Sequence, residues 1–78
     1  MSKKPGELAE MGEIIAIGIA HEQASIRFYK EAFVRAKTEE YRGIFLHLME
    51  QEEEHEANLK ALLYKLKLEI EISLRKSK

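Results

Sequence analysis

The residues best suited to chemistry lie in one acidic segment, LMEQEEEHEANL, at residues 48–59. Among its five glutamates and one histidine, Glu52 and His55 stand three positions apart. In a helix this spacing places both side chains on one face, where both can reach a single metal ion. Carboxylate oxygen and imidazole nitrogen together suit iron, manganese or zinc. Taken alone, the Glu-x-x-His pattern also fits a solvated acidic face, so the direction in which the pair points is decisive.

Two apolar stripes with steps of three and four predict the helices that position these residues. The first stripe is Leu8, Met11, Ile15, Ile19, Ile26, Tyr29, Phe33 and Ala36, and the second is Tyr41, Phe45, Leu48, Leu59, Leu62 and Leu66. Glu22 occupies a core-facing position of the first stripe, and Glu52 and His55 occupy two such positions in the second. We expect helices at about 7–37 and about 39–66 or beyond, followed by a tail at about 67–78.

The segment RAKTEEYRG between the stripes predicts a turn near residues 37–39. Thr38 is a suitable N-cap, and the acids Glu39 and Glu40 suit the first turn of the second helix because of the helix dipole. Two long helices joined by a short turn pack antiparallel. The predicted fold class is therefore all-α, an antiparallel two-helix hairpin.

A second argument from the sequence places the same turn. In an antiparallel hairpin, residues at one height have a constant sum of positions. Pairing Glu22 with the midpoint of Glu52 and His55 centres the hairpin near residue 38, in agreement with the capping signal. Three ionisable residues then lie at one level of the core-facing stripes. Charged side chains are almost never buried unless they are paired or bind metal, so a metal site is the favoured explanation.

Glu22, Glu52 and His55 make only half of a known metal site. In four-helix bundles, two metal ions are held by one Glu from each of two helices and a Glu-x-x-His from each of the other two. Two copies of this hairpin supply that set, and four carboxylates balance two divalent cations. We therefore expect a homodimer that forms a four-helix bundle, with folding and assembly favoured by metal.

Two segments carry a resemblance to a known family. AHEQASIRFYKEA at 20–32 contains Glu22 and, seven residues later, Tyr29, and YRGIFLHLMEQEEEHEANLKAL at 41–62 contains Glu52 and His55. Over about residues 13–65 the chain resembles one half of a rubrerythrin-type ferritin-like di-iron domain. The separations are also similar to those of encapsulated ferritins, two-helix chains that build the di-iron site across a subunit interface.

The resemblance implies a ferritin-like four-helix bundle with two Fe ions per dimer, although Mn or Zn would also fit the ligands. It implies an oxidoreductase of ferroxidase or peroxidase type that acts on ferrous iron with dioxygen or peroxide. For Tyr29 it suggests a hydrogen bond to a ligand glutamate, and core packing is the alternative. The second helix pair and a Cys-rich rubredoxin module are missing. Another chain must therefore complete the site, and any electron donor must be a separate protein.

The remaining polar residues of the two segments are expected at the surface. Four neighbours of the Glu-x-x-His motif are expected in solvent: Glu50, Glu53, Glu54 and Glu56. Glu53 and Glu56 are also candidates for a secondary or entry site beside the metal. His21 and His47 lie about 100° and about 140° around their helices from Glu22 and Glu52, at roughly 100° per residue. We expect both histidines at a surface or interface.

Several alternatives stay open. The protein could bind iron without turnover, or act as cargo for an encapsulin shell, because the tail EIEISLRKSK at 69–78 faintly resembles shell-loading signals. It could also be a structural helical dimerisation module. Residues 66–74 alternate as a strand would, but helix is favoured because no breaker intervenes.

Composition excludes several classes of protein. The net charge of −1 does not build the field that nucleic-acid binding needs, and the absence of Cys removes disulfides and thiolate sites. The longest apolar run, IIAIGIA at 14–20, is too short to cross a bilayer. We expect no signal peptide, no membrane partner and a cytoplasmic location. Because this run is apolar nearly all round, Ile14 and Ile17 predict a subunit interface, and an assembly larger than a dimer would use Gly18 for close helix approach.

Overall fold

The computed structural model describes residues 5–76, which form two α-helices joined by a short turn. Helix α1 is Pro5–Arg35 and helix α2 is Glu39–Lys76. At about 1.5 Å per residue, the 38 residues of α2 extend about 57 Å. That length nearly matches the longest dimension of the hairpin, 61 Å, whereas the other two dimensions are 17 and 14 Å. The all-α antiparallel hairpin predicted from the sequence is confirmed.

The turn lies where the capping signal placed it. Thr38 caps α2, since its Oγ1 accepts a hydrogen bond from the Tyr41 N–H at 3.3 Å and its carbonyl accepts one from Arg42 N–H at 3.0 Å. The Arg42 side chain reaches back and donates from Nε to the Ala36 carbonyl at 3.1 Å. That bond satisfies one of the carbonyls that the end of α1 leaves unpaired. Hydrogen bonds therefore stabilise both the end of α1 and the start of α2 at this turn.

Helix α2 continues through the segment whose alternation also fits a strand. The structure carries the helix to Lys76, whereas Ser77 and Lys78 lie outside the described residues. Helical spacing turns Leu66 and Ile70 toward α1, while Leu68 and Ile72 face outward. A strand would have placed all four on one face without a second strand to pair with. The favoured helix is what forms, and it includes most of the expected tail.

The two helices approach each other closely where glycines of α1 face leucines of α2. A Cβ atom on Gly12 would lie 3.5 Å from Leu66 Cδ2, and one on Gly18 would lie 3.4 Å from Leu59 Cδ1. In both pairs the two residue numbers add up to nearly the same total, as expected for an antiparallel hairpin. The close approach at Gly18 occurs within one chain, where the sequence argument had linked it to a larger assembly.

The hairpin buries very little of its apolar surface by itself. Among the described residues, the buried hydrophobic side chains are Leu8, 1% exposed, and Leu66, 8% exposed. The exposed large hydrophobic side chains include Met11, Ile14, Ile17, Phe28, Val34, Tyr41, Ile44, Leu46, Leu62, Tyr64, Leu68, Ile72 and Leu74. Apolar surface on this scale marks sites of association in folded proteins. A search of residues 5–76 finds no helix with the length and hydropathy that a membrane span requires.

Candidate metal centre

Three side chains from the two helices converge at one level of the hairpin. Glu22 comes from α1, and Glu52 and His55 come from α2, with one ligand atom of each within 4.8 Å of the other two. His55 Nδ1 lies 3.7 Å from Glu22 Oε2 and 3.8 Å from Glu52 Oε1. The structure thus brings together the three polar residues that interrupt the apolar stripes.

Local helix geometry and the hairpin register together produce this convergence. The three-residue spacing holds Glu52 and His55 on one face of α2, and the short turn sets the height at which Glu22 meets them. Half-buried apolar residues flank the level on both helices, with Ile19 and Ile26 on α1 and Leu59 on α2. Continuous helix on either side holds the three residues at this level of the hairpin.

The cluster is closed on one side and open on the other. The side chains of Glu22 and Glu52 are each 21% exposed, whereas His55 is 58% exposed. The two carboxylates therefore lie mostly within the hairpin, and the imidazole stands at its surface. A cation held by all three would be reached from the His55 side.

One oxygen of Glu22 has no hydrogen-bond partner within residues 5–76. Among the described residues, Glu22 Oε2 is the buried side-chain oxygen or nitrogen that lacks a hydrogen bond. The 3.7 Å separation from His55 Nδ1 exceeds the usual hydrogen-bond range of about 2.7–3.2 Å. Buried polar atoms are normally satisfied, so this oxygen calls for a proton or a cation.

The two carboxyl groups also influence each other electrostatically. Hydrogen bonding to Glu52 raises the pKa of Glu22 above its ordinary value, and partial burial and the negative charge of Glu52 raise it further. His55 acts in the opposite direction, and Glu56 adds to the rise. The hydrogen bond exists only while one carboxyl carries a proton. When both carboxyl groups are ionised, their negative charges repel, and a bound cation would compensate them.

The separations of His55 from the two carboxylates fit a shared metal ion. Carboxylate and imidazole ligands bind an ion such as zinc at about 2.0–2.2 Å, so two ligands of one ion lie no more than about 4.3 Å apart. Both distances from His55 Nδ1, 3.7 and 3.8 Å, are inside that limit. Two carboxylates and one imidazole are also the donors that iron, manganese and zinc prefer. The residues present therefore fit a metal, with three ligands from one chain.

The other predicted residues take different positions. Glu53 is exposed, whereas Glu56 is only 19% exposed and pairs with Lys60, whose Nζ lies 3.4 Å from Glu56 Oε2. The expectation that Glu56 stands in solvent was wrong. Its four-residue spacing from Glu52 is the signal that could have placed it on the inward face.

Tyr29 is half-buried on the same helix as Glu22. Its ring packs edge-to-face against Phe28, with centroids 5.4 Å apart and planes at 72°. Within residues 5–76 of a single chain, no hydrogen bond joins it to a glutamate, so that bond stays a prediction for an assembled form. His21 and His47 are exposed and lie outside the cluster.

Comparison with protein-family models matches residues 13–78 to Rubrerythrin, a range that includes all three cluster residues and most of both helices. Comparisons with curated proteins and with solved structures gave no match. The family match covers well over half of the chain and extends the resemblance seen in the sequence as far as the C-terminal part of α2. The chain therefore belongs to the rubrerythrin family of ferritin-like di-iron domains, and its Glu22, Glu52 and His55 form a carboxylate and histidine cluster in that domain.

Proposed function

We propose that two copies of this hairpin form a ferritin-like four-helix bundle that carries a di-iron carboxylate site and oxidises ferrous iron with dioxygen or peroxide. Glu22, Glu52 and His55 of each copy would be its ligands. The observation that carries this proposal is the convergence of the three ligand atoms within 4.8 Å, with Glu22 Oε2 left without a hydrogen bond.

The incompleteness of the hairpin supports a site shared between two chains. One chain offers two carboxylates and one imidazole, which is half of the set used by di-iron four-helix bundles. The 58% exposure of His55 leaves the cluster open on the side where a second hairpin would complete it. Exposed apolar residues such as Met11 and Leu62 also give a partner hairpin a surface on which to pack.

The chain's own residues have definite tasks in this site. Glu22 and Glu52 would supply anionic oxygens to the metal, and His55 would supply a ring nitrogen. The apolar neighbours Ile19, Ile26 and Leu59 limit the access of water from within the hairpin. Two iron ions bound there would supply the redox chemistry of the site. In a ferroxidase reaction ferrous iron is the substrate, whereas a peroxidase reaction also needs a separate electron donor.

Anaerobic titration with ferrous iron, followed by exposure to oxygen or peroxide, tests the proposal. We expect two iron ions per two chains, a mass in solution of at least a dimer, and oxidation faster than that of free iron. Glu22→Ala should abolish both binding and oxidation, and Glu54→Ala, an exposed acid on α2, serves as the matched control. Retention of both properties by Glu22→Ala would sink the proposal. Stoichiometric binding without accelerated oxidation would instead indicate iron binding without turnover.

A further inference from the structure

Glu56 is a carboxylate on the inward side of α2 that the proposed ligand set does not use. Its side chain is 19% exposed, essentially as enclosed as Glu22 and Glu52 at 21%. The neighbouring acids Glu53 and Glu54 are exposed. Burial of a carboxylate costs free energy unless a partner compensates, so the position of Glu56 requires an explanation.

Two interactions define the electrostatic role of Glu56. Its charge lies close to the cluster, because Glu56 stands one helical turn from Glu52 and its side chain is largely enclosed by the hairpin. Its carboxylate is also paired with Lys60, one turn further along α2, with Nζ 3.4 Å from Oε2. Lys60 is 56% exposed, so its positive charge lies at the edge of the hairpin, beyond Glu56.

Glu56 is not one of the converging ligand atoms. The group that meets within 4.8 Å consists of Glu22, Glu52 and His55, and Glu56 is outside it. An ion pair one helical turn from the cluster can nevertheless alter the potential that a cation meets there. Charges that are close to a site and partly removed from water interact with it more strongly than exposed ones.

We propose that Glu56 and Lys60 form an electrostatic pair that sets the cation affinity of the Glu22, Glu52 and His55 cluster without binding the cation themselves. Glu56 strengthens the attraction, and Lys60 weakens it by neutralising part of the Glu56 charge. This inference rests on the proposed function, because it requires the cluster to hold a metal ion. Glu56 and Lys60 are thus positioning residues that act through the potential at the ligands.

The two residues have opposite charges, which gives the proposal a test that simple loss of structure cannot imitate. We would titrate the protein, Glu56→Gln and Lys60→Gln with Mn²⁺ and follow free Mn²⁺ by its paramagnetic resonance signal. Glu56→Gln should raise the dissociation constant about three- to tenfold, and Lys60→Gln should lower it by a similar factor.

A matched ion pair elsewhere in the chain provides the control. Glu31 and Arg35 have the same four-residue spacing on α1, with Arg35 Nη2 2.8 Å from Glu31 Oε1, and both side chains are exposed. Glu31→Gln and Arg35→Gln should leave Mn²⁺ affinity unchanged. Circular dichroism of every variant checks that the helices remain, and Lys60→Gln keeps the test decisive if Glu56→Gln folds poorly.

The outcomes separate this inference from the function on which it rests. Shifts of opposite sign support it. Shifts of the same sign, or no shift in Lys60→Gln, overturn it while leaving the metal site intact. Failure of the unaltered protein to bind Mn²⁺ or ferrous iron overturns both proposals together.

Discussion

His55 Nδ1 and Glu22 Oε2 face each other across the hairpin at 3.7 Å, from different helices, without a hydrogen bond between them. An ordinary ion pair of this protein is closer, since Arg35 and Glu31 on the outer face of α1 approach to 2.8 Å. The gap between His55 and Glu22 is too wide for a hydrogen bond and narrow enough for one ion to contact both. The predictions below start from this relationship.

Removal of metal should weaken assembly. Without cations, two hairpins would bring four carboxylates of Glu22 and Glu52 together, and their mutual repulsion opposes the dimer. A ligand that binds only the assembled state stabilises that state by mass action. We expect chelator treatment to lower the mass measured by light scattering and the melting temperature, and added ferrous iron or Mn²⁺ to restore both. An unchanged mass and melting temperature would contradict a site shared between chains.

Substitution of a ligand should cost more than substitution of any other acid in the same segment. Each copy of a dimer would lose one ligand, so Glu52→Ala or His55→Ala removes two ligands from the complete site. Loss of an outer residue around a metal commonly costs about 10–100-fold in affinity, so we expect a loss of about 100-fold or more for a ligand. Isothermal titration calorimetry with Mn²⁺ measures the affinity of each variant. Glu54→Ala, at an exposed position next to His55, is the control and should retain nearly full affinity.

The stability of the metal-free protein should fall as pH rises through the range in which Glu22 ionises. The pKa of Glu22 is raised above its ordinary value of 4.5, chiefly by hydrogen bonding to Glu52, so the folded state holds this proton more tightly than the unfolded state. The resulting stabilisation is fully present below the unfolded pKa and is lost as pH rises through the folded pKa. Glu22→Gln removes this dependence and should gain stability relative to the unaltered protein over the same range.

Denaturant unfolding of the chelated protein, from about pH 4 to about pH 8, measures that difference. The gain of Glu22→Gln should level off once Glu22 is ionised in the folded state. With metal bound, the unaltered protein should instead become more stable than Glu22→Gln as pH rises. Metal binding requires the ionised carboxylates and therefore strengthens with pH. A stability difference that is independent of pH would contradict proton sharing between Glu22 and Glu52.

Loss of the cap at the turn should destabilise the hairpin without affecting the metal ligands directly. Thr38→Ala removes the oxygen that accepts the Tyr41 N–H, and such losses typically cost about 1 kcal/mol. Thr38→Ser keeps a hydroxyl and should lose far less. Thermal unfolding measures both, and metal stoichiometry should be the same in the two variants. Equal melting temperatures for Thr38→Ala and the unaltered protein would show that the cap carries no stability.

Much of the fold was predictable because it depends on local patterns. The apolar stripes identified both helices, and the capping signal at Thr38 placed the turn that the structure shows. The level match of Glu22 with Glu52 and His55 followed from the arithmetic of an antiparallel hairpin. Glu56 was misplaced because a run of acids suggests solvent, whereas its side chain lies inward and pairs with Lys60.

By itself, the sequence determined two helices, their antiparallel order and the residues that interrupt their apolar faces, since helical periodicity and capping depend on near neighbours along the chain. Only the tertiary structure decided how deeply each polar side chain lies, that Gly18 packs against Leu59 of the same chain, and that Glu22 Oε2 lacks a partner. Those properties depend on the distance between the helices and on their rotation about their own axes. Neither quantity is set by local sequence, because both arise from the packing of side chains on α1 against those on α2.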